Sequence, residues 1–176
     1  MKFSLSCCGA LLVSRLLAPG LAWAQEMPKG TALLAELGQG FNRPPGGDVG
    51  YLATLQLVPQ WTVVPGRLRA GLVLGAFYPG TRLGGLAGGR ATLRVIQGPP
   101  VLLASSFHVH LLGEYLPAVW TGDNWQQWIG VGVGIETSNL LGLAFKLHRD
   151  FRTPVTYGQL AITFNLLYRR NLPPDL

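Results

Sequence analysis

From residue 31 onward, apolar side chains recur at every second position, and the runs that carry this alternation are short and bounded by Gly and Pro. A period of two is the signature of a β-strand with one apolar face. Eight such runs can be marked, at about 31–41, 50–61, 67–78, 86–97, 103–115, 127–136, 140–148 and 156–169. In the second, Tyr51, Ala53, Leu55, Leu57 and Trp61 oppose Thr54, Gln56 and Gln60. In the sixth, Ile129, Val131, Val133 and Ile135 oppose Gly130, Gly132 and Gly134. One set of faces is Leu, Val, Ile, Phe, Ala and Tyr throughout, while the other mixes charged and amide side chains with glycine. No run shows helical spacing, and none after residue 30 approaches the length of a spanning helix.

Alternation alone fits a soluble barrel as well as a membrane one. The identity of the faces favours placing the polar set inside and the apolar set outside, because glycine-rich strands make a poor water-facing surface. Runs of ten to twelve residues match tilted strands that cross a bilayer. A soluble calycin-like barrel, with the faces reversed, stands as the alternative. The connections read as alternating in length, with 42–49, 79–85, 116–126 and 149–155 long and 62–66, 97–100 and 137–139 short. Aromatic residues sort with them. Phe41, Tyr51, Tyr78, Tyr115, Trp120, Trp125 and Tyr157 gather toward the long connections, while Trp61 and Tyr168 mark the opposite end. Two such belts are what membrane interfaces select.

Composition sharpens this picture. Only 12% of residues are charged, about half the usual soluble share. Residues 1–24 have the layout of a cleaved export signal: Lys2, an apolar stretch over Cys7–Leu17, then Ala22-Trp23-Ala24. Cleavage there removes both cysteines, Cys7 and Cys8, so the mature chain is expected to hold no disulfide or thiolate site. It also removes Lys2 and Arg15 from the 14 basic residues, leaving 12 against 8 acidic, a net +4. The scatter of those charges and the expected export argue against nucleic acid as a partner. The chain thus divides into a signal (1–24), a short N-terminal segment (25–30), a barrel (31–169) and a C-terminal tail (170–176).

With these features the chain resembles the small eight-stranded outer-membrane barrels of Gram-negative bacteria, the class of the outer-membrane protein A transmembrane domain and its X and W relatives. The resemblance covers about residues 30–169 and implies an all-β fold: an eight-stranded, antiparallel, up-and-down transmembrane barrel. It also implies outer-membrane lipids, lipopolysaccharide and the barrel-assembly machinery as partners, a monomer, and no cofactor. The chain departs from that class in ending Asn171-Leu172-Pro173-Pro174-Asp175-Leu176 rather than on an aromatic residue.

The candidate chemistry lies on the polar faces: Glu36, Arg67, Arg69, Arg90, Arg94, His108, His110, Glu114, Glu136, Lys146 and His148. Inside a narrow barrel they are expected to form a balanced network, because an isolated buried ion costs several kcal/mol. Folding 127–136 back on 103–115 about a 116–126 loop places His110 near Gly132 and His108 near Gly134. Folding 86–97 onto the same strand about 97–100 places Arg90 near Ser106 and His108. Two sharper readings compete with packing. His108-x-His110 with His148 or Glu114 could hold a metal, though that spacing is a weak signal. Ser106, His108 and Glu114 could be hydrolytic, as in lipid A deacylases, but their order differs from that family's motif and the face points away from lipid. The expectation is no catalytic residue and no metal site.

Overall fold

In a computed structural model, residues 31–80, 82–98, 107–120, 125–137 and 141–167 can be described, without the side chains of 118–120. They form eight strands and no helix: β1 (Thr31–Arg43), β2 (Gly50–Val64), β3 (Leu68–Tyr78), β4 (Gly84–Gly98), β5 (Phe107–Trp120), β6 (Trp125–Thr137), β7 (Leu141–Asp150) and β8 (Thr156–Asn165). Each strand pairs antiparallel with the next, and β8 closes on β1. Closure satisfies the backbone of every strand and leaves no free edge.

The alternation sorts as the sequence requires. On β2, Leu52, Thr54, Gln56, Val58 and Gln60 are buried, whereas Tyr51, Leu55, Leu57 and Trp61 are exposed. On β7, Gly142, Ala144, Lys146, His148 and Asp150 point inward, and Leu141, Leu143, Phe145 and Leu147 outward. The polar face is therefore the interior and the apolar face the exterior around the whole barrel. Parity breaks at two register shifts, between Thr62 and Val64 on β2 and between Arg94 and Ile96 on β4, where Val63 and Val64, and Val95 and Ile96, are consecutive exposed residues. A bulge inserts one unpaired residue and turns the next side chain over.

Two connections differ from the sequence expectation. The β5–β6 connection is confined to 121–124, because both strands run on through Trp120 and Trp125; β4 runs on through Gly98, which pairs with Phe107, so no tight 97–100 turn joins β4 to β5. Both connections lie outside the described residues. The β2–β3 turn is tight as expected. Arg67 N donates to Val64 O at 3.0 Å, with Gly66 at φ 72° behind Pro65, the arrangement of a turn that demands positive φ at its third residue.

These changes reset the register. His110 faces Gly134 and His108 faces Glu136, two residues from the expected partners. Arg90 faces Glu114, while His108 faces Gln97. The expectation that Arg90 meets His108 is overturned, because the register sets Gly98 against Phe107 and carries a bulge between Arg94 and Ile96; Ser106 itself lies outside the described residues. The principle behind the expectation survives with different partners. A Cβ added at Gly134 would overlap the His110 ring, and one at Gly130 would overlap His148. Glycines on β6 make room for the imidazoles, as a narrow barrel needs.

Candidate functional site

The interior is built in layers. At the end that carries the 44–49, 79–83 and 151–155 connections, Trp128 stacks on Tyr157 with ring centroids 4.2 Å apart and meets Phe77 edge-on at 4.8 Å. Leu52, Leu86 and Leu116 pack into the same cluster. Tyr157 is 2% exposed, so its assignment to the interfacial belt is corrected. Tyr157 shares the parity of Gln159 and Ala161, and this places it inside. Its hydroxyl and the Trp128 indole N–H both donate to Gln126 Oε1, at 3.2 and 3.0 Å. An apolar cluster with satisfied polar tips closes this end of the lumen.

Below it lies a layer of charge. Arg90 Nη1 donates to Glu36 Oε2 at 3.0 Å and Nη2 to Gln56 Oε1 at 3.0 Å, while its Nε donates to Glu114. Lys146 donates to Glu36 and, at 3.1 Å, to Glu114 Oε1. His148 Nε2 lies 2.6 Å from Glu114 Oε2. Glu36, Arg90, Glu114, Lys146 and His148 are each no more than 5% exposed. Two carboxylates thus face an arginine and a lysine, with the histidine on the free oxygen of Glu114. Burial of so many ions is sustained by their mutual pairing, which engages both carboxylates and all three guanidinium nitrogens of Arg90.

Toward the opposite end, Arg69 pairs with Glu136 at 3.3 Å. Arg94 and His108 lie near this pair, and so does His110. A cavity of about 30 Å³ opens here among Glu36, Arg69, Arg90, His110, Glu136 and Thr163, space for roughly one or two waters. Arg67, expected within a strand, sits half-buried in the β2–β3 turn at the mouth. The structure therefore brings Glu36, Arg90, Glu114, Lys146 and His148 into one network and Arg69 with Glu136 into a second.

Glu114 is six residues from His108 along β5, about 20 Å of extended chain. Its oxygens are held by Arg90, Lys146 and His148, so it cannot orient His108. Among the described residues no three His, Asp or Glu side chains are grouped to hold a metal ion. His108 is likewise no partner of Arg90, which takes its partners from Glu36, Gln56 and Glu114. Reading by charge and imidazole missed Gln56, Gln60 and Gln159, all buried. Their polar-face parity was the signal that could have found them.

Outside, Phe41, Tyr51, Tyr78 and Trp125 are exposed near one end, Tyr115 is exposed deeper along β5, and Trp61 is exposed at the other end. Phe151 joins the first group at 64% exposure. The Trp120 side chain and all of Tyr168 lie outside the described residues. No protein-family model and no curated protein matches the chain.

Proposed function

We propose that the chain is a non-enzymatic integral barrel of the bacterial outer membrane, exported by the signal expected at 1–24, with a filled lumen. The observation that carries this reading is the inverted polarity. Lys146 and Glu36 are fully buried, whereas Val131 is 65%, Leu55 55% and Leu160 53% exposed. Water-soluble domains do not surround a charged interior with a continuous apolar wall, whereas bilayer-spanning barrels do. The spacing of the aromatics agrees. From Tyr51 to Trp61 the strand covers about 33 Å. At the usual barrel tilt, that is about 25 Å along the axis, the height of an outer-membrane apolar band.

The closed interior suits envelope integrity or a surface interaction better than solute passage. An aromatic cluster over a paired charge layer fills the lumen among the described residues, in keeping with the narrow interior of eight strands. Lipid A hydrolysis would need reacting groups on the outer wall, and the histidine considered for it, His108, is 1% exposed and inward. The surrounding lipids, lipopolysaccharide and the barrel-assembly machinery are its proposed partners, and a monomer its proposed state.

The test is fractionation followed by gel migration with and without heating. The protein should partition with outer membranes, require detergent for extraction, and migrate faster unheated than heated. Recovery in the detergent-free soluble fraction with native folding would overturn the proposal.

A further inference from the structure

We propose that the groove between the β1–β2 and β7–β8 connections is a docking site for the phosphate of a membrane lipid. This rests on the membrane reading above. Arg43 on β1 and Arg149 on β7 both pair with Thr156 of β8. Adjacent strands are about 4.8 Å apart, so the two arginines flank Thr156 with Cα atoms about 10 Å from each other. That separation lets two guanidinium groups converge on one tetrahedral anion above the threonine. Both arginines are exposed, and among the described residues neither has an ion pair.

The groove measures about 310 Å³, and Pro44, Pro45 and Pro154 line it beside Arg43, Arg149 and Thr156. Its walls are fixed by local bonding. Gly47 N donates to Pro44 O at 3.3 Å, and Gly46 has φ 67°, a turn that Pro45 and Gly46 both favour. On the other side the buried Asp150 accepts from Gln127 N and Arg152 N at 3.0 Å each, and from the Thr153 hydroxyl. Its carboxylate is turned inward and occupied, which leaves Arg149 uncompensated. The other described carboxylate at this end, Asp48, is exposed on the β1–β2 connection. Arg82 and Arg152, also exposed, add to a positive rim.

The surroundings distinguish a lipid from a free anion. Toward mid-barrel the same outer face becomes apolar, with Phe41, Leu147 and Leu160 exposed and the Phe41 ring lying over Gly158. A phosphate held by Arg43 and Arg149 would let its acyl chains run down this wall. Arginine suits the headgroup because its planar fork matches phosphate oxygens, and the rim's positive field draws anionic lipid to it.

The full chain, folded in phosphatidylcholine nanodiscs doped with either phosphatidic acid or diacylglycerol, can be examined by native mass spectrometry. The folded barrel should retain phosphatidic acid and not diacylglycerol. In R43Q/R149Q retention should weaken about tenfold or more, since each charge-assisted hydrogen bond lost is worth that much. R82Q/R152Q removes the same charge from the rim outside the two flanking positions and should retain the lipid. Equal retention of both lipids, or equal loss in both double variants, would overturn the proposal while leaving the membrane reading intact. Displacement of the lipid by inorganic phosphate alone would assign the groove to a free anion and overturn it too. Failure to enter nanodiscs at all would count against the membrane reading itself.

Discussion

Replacing Glu114 with alanine is expected to cost about 3–5 kcal/mol of folding stability, the range for removing one partner of a buried ion pair. Glu114 holds Arg90, Lys146 and His148 at once. Its loss leaves Arg90 and Lys146 with Glu36 as their one shared carboxylate and Gln56 as a neutral acceptor. Glu114→Gln keeps an acceptor and should cost less than alanine. Adding Lys146→Met to Glu114→Gln should recover part of the deficit, because one cation leaves with one anion. Urea titration of the barrel in lipid vesicles reads all three. A loss below about 1 kcal/mol for alanine would mean that the layer is wetted and its ions are solvated individually.

Val131→Arg separates lipid from water on the outer wall. Val131 lies at the middle of β6, opposite Gly113 and Leu147. An arginine at mid-height on a lipid face costs roughly 2–4 kcal/mol, whereas at an exposed site in water the change stays within about 0.5 kcal/mol. The same titration in vesicles should give the larger figure. Asp48→Arg, on a connection beyond the apolar band, should give the smaller one. Equal tolerance at both sites would show that Val131 meets water.

Strand number and facing were legible because each depends on a period of two, which any single strand displays by itself. Partners across strands were harder to read, because register depends on where each connection begins. The continuation of β4 through Gly98 and the extension of β5 and β6 each moved a pairing, and so Arg90 found Glu114 instead of His108. The bulge at Val95 was hidden for a related reason: Val95 and Ile96 are both apolar, and either could have continued the pattern. Tyr157 was misplaced by weighing its chemistry above its parity with Gln159. Trp128 shares the parity of Gly130 and Gly132, and it too lies in the lumen. Identity and parity conflict wherever an aromatic plug is built from inward positions, and in this barrel parity wins.

The central claim is that the outer wall of this barrel is in contact with acyl chains. Residues 25–176 contain no cysteine, so single cysteines at Leu57, Val131 and Leu160 can each carry an environment-sensitive fluorophore, with Asp48 as the loop control. In vesicles the three wall positions should be quenched by acyl-chain-labelled doxyl lipids and shielded from aqueous iodide, with Asp48 showing the reverse. Iodide quenching at Leu57, Val131 and Leu160 equal to that at Asp48 would contradict the claim.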